Sequence, residues 1–375
     1  GGKGYAFINH GTISAQPIDL DVSALAVAIQ GSSATNFTCL SGVASSCSYT
    51  TTTGGPLTNT SSGFTVAANG LVTSGGLLNS GTIRAQAQTK EDTTSSIGAT
   101  ALYLGAFTTV PRIDVAGEFV SGGTFTSGVI SAAVIGPGGG VATAVQIGDQ
   151  AVVPQIDVLQ HGTITAQVRT STLSPTSINA PTSSPFTQTA TAILDQSGSV
   201  RLINNAGVIA ALTTVQTPTA NAAVVNNTLA VNLLAGSTGK TVINNSGVIE
   251  GDVLFNSGGG GNTLNVGNVG DVTNPNDTSG NANSAVSVIQ GSAVSNTPFN
   301  YASVTGRISS TLSGAPPTAL TSLINFGSGT GNLLHVGGFG YVNSVIASGP
   351  GGLDIHVDNN GQLFLAAPTG SSVNT

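Results

Sequence analysis

A five-residue unit returns along this chain, and any fold must accommodate the repetition. Asn79-Ser80-Gly81-Thr82-Ile83 has copies at Asn9-His10-Gly11-Thr12-Ile13, Asn205-Ala206-Gly207-Val208-Ile209 and Asn245-Ser246-Gly247-Val248-Ile249. Thr126-Ser127-Gly128-Val129-Ile130 and Gln160-His161-Gly162-Thr163-Ile164 keep the pattern with a different first residue. A longer repeat overlies it. Ala99-Thr100-Ala101-Leu102-Tyr103-Leu104-Gly105 and Val110-Pro111-Arg112-Ile113-Asp114-Val115 recur 43 residues on, as Ala142 to Gly148 and Val153 to Val158. A third copy starts at Ala190-Thr191-Ala192-Ile193-Leu194 and runs through Val200 into Leu202-Ile203-Asn204. Repeats of this length are units that cannot bury an apolar face alone and do so by stacking.

The hydrophobic period within the repeats is two, which specifies strands rather than helices. Ile18-Asp19-Leu20-Asp21-Val22 and Leu25 to Ile29 alternate in the same way. Ile83 and Ala85 point to one side, as do the equivalent pairs at 13 and 15, 130 and 132, 164 and 166, and 209 and 211. A large residue followed by a small one suits a narrow interior near a corner. Gly11, Gly81, Gly128, Gly162, Gly207 and Gly247 are expected at bends with positive φ. Ile13, Ile83, Ile130, Ile164, Ile209 and Ile249 follow them, pointing inward. Asn at the bend can hydrogen-bond local backbone and stack in ladders. Separate hairpins would show Asn-Gly turns every 8–12 residues, and that spacing is absent.

The architecture predicted is all-β, a right-handed parallel β-helix with Ser/Thr/Gly-rich loop insertions. At about 4.8 Å and about 20–25 residues per coil, the 375 residues would make about 14–17 coils and a rod of roughly 70–80 Å. Repeats of about 43 residues build residues 1–256, with an insertion at 31–63. Glycine-rich coils continue over 257–366, and 367–375 read as a linker or tail. Further insertions are expected at 170–189, 213–228, 271–283 and 311–322.

Composition narrows the function classes. Only 6% of residues are charged, against about 25% in an ordinary soluble domain. Aliphatic residues are spread evenly and mean hydropathy is +0.27, so the chain can bury a core. Its surface must then be Ser, Thr, Asn and Gly, as is typical of extracellular β-proteins. Net charge is −7, and the eight Lys and Arg are scattered, so the basic stripe of a nucleic-acid binder is missing. No apolar run reaches the ~20 residues that cross a bilayer as a helix. With Gly1 leading and no signal peptide visible, the chain reads as a processed or excised segment. Cys39 and Cys47 form either a redox or metal pair or a small-loop disulfide of an oxidising compartment. No His or acidic residue lies beside them, which favours the disulfide.

The repeat units, together with Ala190 to Val200 and Gly251-Asp252-Val253-Leu254-Phe255 followed by Asn262-Thr263-Leu264-Asn265-Val266, resemble the passenger regions of alphaproteobacterial autotransporters. The resemblance covers residues 5–365. It implies a β-helix passenger threaded through an outer-membrane barrel to the cell surface. The chain departs from the family in carrying cysteines and in lacking the amphipathic membrane strands of a C-terminal barrel.

Candidate chemistry is thin. Ala235 to Thr241 imitates a phosphate loop, but Leu234 stands where the first glycine belongs. Asp195-Gln196-Ser197-Gly198-Ser199 imitates a serine nucleophile region, whereas His10 and His161 fill the variable second slot of the repeat and read as turn residues. Gly258 to Val266 resembles a calcium β-roll, with Thr263 in place of the ligating Asp and Asn262 offering one oxygen. Asp19/Asp21, Asp114/Asp157 and Asp354/Asp358 are the carboxylate pairs to examine for glycoside cleavage. Asp114 and Asp157 are repeat-equivalent, with Arg112 and Gln155 at matching positions, and read as a surface ladder.

The function expected is a non-enzymatic extracellular structural or adhesive protein without a cofactor. Its partners would be further copies of itself, or surface glycans and host or abiotic surfaces. The alternative is a polysaccharide-degrading or polysaccharide-binding β-helix protein.

Overall fold

In each repeat the chain runs through three strands and returns. The computed structural model describes residues 5–30, 76–90, 97–120, 124–136, 140–169, 186–214, 224–233, 240–256, 260–267, 302–305, 308–309, 318–319, 322–337, 340–358 and 361–365. Cys39, Cys47 and the insertion expected at 31–63 lie outside them. The first circuit is β1 (Phe7–Asn9), β2 (Thr12–Ala15) and β3 (Ala24–Ile29). The second is β4 (Leu77–Asn79), β5 (Thr82–Gln88) and β6 (Ile97–Leu104). The third is β7 (Ile113–Val115), a hairpin of β8 (Glu118–Val120) and β9 (Thr124–Thr126), then β10 (Gly128–Ile135) and β11 (Gly140–Ile147). Next come β12 (Gln155–Val158), β13 (Gly162–Arg169) and β14 (Phe186–Asp195), then β15 (Leu202–Asn205), β16 (Val208–Thr214) and β17 (Val224–Asn232). They are followed by β18 (Val242–Asn245), β19 (Val248–Glu250) and β20 (Asp252–Leu254). β21 (Thr263–Val266), β22 (Ala302–Thr305), the antiparallel pair β23 (Ile308–Ser309) and β24 (Thr318–Ala319), and β25 (Ser322–Asn325) make the next circuit. β26 (Asn332–Val336), β27 (Gly340–Ala347), β28 (Leu353–Val357) and β29 (Gln362–Leu365) complete the series.

One strand of each circuit joins a first sheet, in the order β1-β4-β7-β12-β15-β18-β21-β26-β28. A second sheet has two arms, β2-β5-β10-β13-β16-β19-β22 and β3-β6-β11-β14-β17-β20-β25, while β8–β9 and β23–β24 stay separate pairs. The long β27 bridges the arms, its first half on β22 and its second on β25. All pairings within these two sheets are parallel and stacked in register, with one shift between β17 and β20.

The 43-residue repeat is therefore one circuit, not two. Ile113 stands beside Ile156, whereas the step from Ile243 to Leu264 takes 21 residues, as does that from Leu334 to Ile355. The difference lies in arm length: β10, β11 and β13 have 8 residues each, and β19 and β20 have 3. Nine first-sheet strands at about 4.8 Å span about 38 Å, roughly half the expected rod. Three expected insertions are partly strand: residues 186–189 open β14, 213–214 and 224–228 belong to β16 and β17, and 318–319 and 322 belong to β24 and β25. Conversely, Ile18 to Val22 is a turn. Ile18 is 100% exposed, and Asp21 has φ 60 with its N–H on Gln88 O at 2.8 Å, a turn contact rather than a ladder.

The core is a set of columns. Ile13, Ile83, Ile130, Ile164, Ile209 and Ile249 are register partners, and those from Ile83 to Ile249 are fully buried. Each such isoleucine contributes about 2–3 kcal/mol of apolar burial. The next inward column is Ala15, Ala85, Ala132, Ala166 and Ala211, where the small side chain leaves room for the opposing arm. Phe255 and Phe326 stack at 5.0 Å in the later circuits.

The corner glycines are needed for a different reason from the one their sequence context suggests. Gly81, Gly128, Gly162, Gly207 and Gly247 do not have positive φ. A Cβ at any of them would come closer than 3.0 Å to a backbone carbonyl of the neighbouring circuit or corner, such as Gly162 O for Gly207. Close stacking, not a left-handed bend, excludes a side chain. The asparagine ahead of them tightens the corner. Asn9 and Asn205 accept from the N–H of Gly11 and Gly207 at 3.2 Å, and their Nδ2 atoms donate at 2.7 Å to Asn79 and Asn245 one circuit on. The variant units at 126 and 160 are displaced copies. Val115 and Val158 hold the asparagine slot there, and the corner needs extra residues, the β8–β9 hairpin in one case and Leu159 to His161 in the other. His161 takes φ 64 in that longer turn.

One inward polar side chain has no corner to bond. Gln188 follows Gly140 in its column and is fully buried, with neither Oε1 nor Nε2 hydrogen-bonded. An unsatisfied buried amide is costly. Gln188→Leu should raise unfolding free energy by about 1–2 kcal/mol in denaturant melts; a loss of stability would show that the amide is satisfied.

Candidate functional site: a polar ladder on the first sheet

The outward face of the first sheet carries a column of polar residues. Asp114, Asp157, Asn204, Asn244, Asn265, His335 and His356 are successive register partners. Their inward neighbours Ile113, Ile156, Ile203 and Ile243 are core, so alternation sends the polar set outward. The rungs are bonded in one direction. Asn204 Nδ2 donates to Asp157 Oδ1 at 2.8 Å, Asn244 Nδ2 to Asn204 Oδ1 at 2.9 Å, and Asn265 Nδ2 to Asn244 Oδ1 at 2.8 Å.

At the start of the ladder two carboxylates meet, and a carboxylate has no N–H to donate. Asp114 Oδ1 is buried without a hydrogen-bond partner. Its Oδ2 accepts from the Tyr5 hydroxyl and lies 2.6 Å from Arg112 Nη2. Arg112 Nε is 3.8 Å from Asp157 Oδ2, and its guanidinium lies over the Tyr5 ring at 5.5 Å. Gln155 Nε2 donates to both oxygens of Asp157 at 3.0 and 2.8 Å. Tyr5, from the segment leading into β1, thus reaches past the apolar rung Leu78 and seals the pair. The carboxylate pair is buried rather than on the surface: Asp114 is 3% exposed and Asp157 7%.

Burial dominates the electrostatics. It pushes the Asp114 carboxyl up to about 6, against the pull of Tyr5 and Arg112, and the Asp157 charge adds to the rise. Burial also pushes Asp157 upward against hydrogen bonds from Gln155 and Asn204. The Tyr5 hydroxyl is pushed up to about 12 by burial and by Asp114, so it stays protonated as a donor. Two acids pushed up together, with one unbonded oxygen between them, hold a proton more readily than a free aspartate. At the far end, His335 Nε2 lies 2.9 Å from Asp358 Oδ2, and the His335 and His356 rings are 6.0 Å apart.

The other candidates resolve into scaffold. Asp195 is buried and caps its own turn, accepting from Ser197 N, Gly198 N and Val200 N at 2.9–3.0 Å and from the Ser197 hydroxyl at 2.7 Å. Ser197 also contacts Ser199, whose hydroxyl accepts from Val153 N–H. A nucleophile would need a histidine there. Asp195→Asn keeps one acceptor oxygen and presents N–H to N–H at Val200; it should cost about 1–2 kcal/mol in thermal or denaturant unfolding. Asn262 spends its side-chain oxygen on Thr241 N–H at 3.1 Å, so it is no free calcium ligand. Thr241, from the phosphate-loop mimic, donates to Val200 O; residues 234–239 of that mimic lie outside the described set. Of the remaining acids, Asp21 pairs with Lys90 at 3.8 Å and Asp354 is exposed. No group of three or more His, Cys, Asp or Glu among the described residues could hold a metal ion.

One constellation was not legible in the sequence. His10 Nδ1 lies 2.7 Å from both the Ser80 hydroxyl and Glu118 Oε2, and Ser80 itself donates to Glu118 at 3.0 Å. The Ser80 hydroxyl, then His10, hold the Glu118 carboxyl below the ordinary range. The acid reaches the hydroxyl directly and shares one ring nitrogen with it, whereas a triad places them on opposite nitrogens. Only the hairpin insertion brings Glu118 to this corner, 108 residues from His10. Comparison of the chain with protein-family models, curated proteins and solved structures finds no match.

Proposed function

We propose that the chain is a right-handed parallel β-helix that works outside the cell as a non-catalytic structural and adhesive rod. In this reading it is the passenger of an autotransporter, exported to the cell surface through an outer-membrane barrel. The supporting observation is where the polar side chains go. Asp157, Asn204, Asn244, Asn265, Asp195 and Asn262 spend their hydrogen bonds holding circuits and turns together. A low-charge Ser/Thr/Asn exterior then offers a repetitive contact surface for glycans, host or abiotic surfaces, and further copies of the chain. The test is adhesion of purified chain to glycan arrays and bare surfaces, alongside surface proteolysis of bacteria expressing the full gene. Uniform failure to adhere, or protection of the chain inside the cell, would overturn it.

A second reading, a β-helix that binds or cleaves polysaccharide at the Asp114–Asp157 pair, requires Tyr5 to lift off the carboxyls it covers. A carboxyl near 6 can act as an acid. Release of reducing or unsaturated ends from a polysaccharide panel, abolished in Asp114→Asn, would establish it and displace the non-catalytic reading.

A further inference from the structure

Gly11 poses a question that the other corners answer. At Gly81, Gly128, Gly162, Gly207, Gly247, Gly340 and Gly361 a Cβ would be driven into backbone of the adjoining circuit or corner. At Gly11, alone in that series among the described residues, the nearest atom to an added Cβ is Asn9 Oδ1 at 4.0 Å. No described strand of the chain lies beneath it, since β1 and β2 each pair on one side only. The first circuit thus keeps the cleared corner that stacking demands.

The last circuit supplies a face of matching form. Ile355 and Val357 continue inward columns whose preceding members, Leu334 and Val336, are fully buried. Ile355 itself is 43% exposed, Val357 47% and Leu365 66%. Leu363 continues the isoleucine column through Val342. We infer that β28 and β29 of one copy stack beneath β1 and β2 of a second copy, as a head-to-tail joint. This rests on the stacked-circuit reading of the fold.

Each column of the joint repeats a contact already made inside the chain. Ile355 would underlie Phe7, as Ile156 underlies Ile203. Val357 would underlie Asn9, as Val158 underlies Asn205. Gly361 would underlie Gly11, with the Val357 carbonyl where the Val336 carbonyl approaches Gly361. Leu363 would meet Ile13, and Leu365 the small Ala15. The β1 and β2 edges gain parallel partners in place of water. Such a contact is heterologous and does not close on itself, so copies add into a filament.

Sedimentation velocity and electron microscopy of the purified chain, from about 1 to about 100 μM, test the joint. End-on oligomers lengthening with concentration are expected. Gly11→Leu should leave far-UV circular dichroism and melting temperature unchanged while weakening association at least about tenfold. Ile355→Asp should do the same from the opposite face. Mixing the two variants should restore dimers, because each keeps one intact face, and those dimers should not grow. A wild-type chain that stays monomeric, or a Gly11→Leu chain that assembles like wild type, would overturn the inference. Failure of the fold itself would appear separately, as loss of the β-sheet spectrum or of cooperative unfolding in the wild type.

Discussion

Gly207→Ala should cost about 3–5 kcal/mol, whereas Gly11→Ala should change stability by less than about 0.5 kcal/mol. The two residues occupy the same place in the same five-residue unit, so local propensity predicts the same outcome for both. The difference comes from what lies beneath. At Gly207 a methyl would be driven onto Gly162 O, with Leu159 O the next nearest atom at 2.7 Å, and both are main-chain atoms of a hydrogen-bonded corner. Backbone cannot swing aside like a side-chain tip, so the β13–β16 pairing would have to open locally. Gly247 stands over Gly207 in the same way and should be equally intolerant. Chemical denaturation of the three variants decides the matter. Equal losses at positions 11 and 207 would mean that backbone conformation, and not stacking, makes glycine necessary.

Asp114→Asn should stabilise the protein at pH 7 by up to about 3 kcal/mol. An Asp114 value of about 6, against an ordinary 3.8, corresponds to about that much. The folded state holds the Asp114 proton more tightly than the unfolded chain does. Its contribution to stability is therefore complete below about pH 3.8 and is lost as pH rises through about 6. Asp157 shifts in the same direction and steepens the loss. The amide suits the site. Its oxygen can take the place of Oδ2, accepting from Tyr5 and Arg112, while its Nδ2 replaces the unbonded Oδ1 and donates toward Asp157. Melting temperatures from pH 4 to pH 7 should fall in the wild type, net of its other groups, and be flatter in Asp114→Asn. A variant less stable than wild type at pH 7, with an unchanged slope, would show that Arg112 and Tyr5 already compensate both charges.

Much of the candidate site was readable in the chain, and its limits have physical causes. The 43-residue offset places Asp114 against Asp157 because parallel in-register stacking converts sequence period into contact. The same offset cannot reveal that Tyr5, 109 residues from Asp114, lies across the pair and makes it a buried one. Nor can it reveal that Asn204, Asn244 and Asn265 extend the column, since those circuits differ in length. Glu118 joined His10 and Ser80 through an insertion that has no counterpart in the other repeats.

The sequence by itself determined that the chain is made of strands in repeating units, which residues of each unit face inward, and that its surface is almost uncharged. These follow from period-two alternation and composition, which act locally along the chain. Tertiary structure alone decided how many residues make one circuit, why its corners exclude a side chain, and which polar groups are left with an unmet hydrogen bond. Those depend on the circuit beneath. A glycine at Gly11 and one at Gly207 look alike until the neighbouring backbone is placed, and only one of them then has no room for a methyl group.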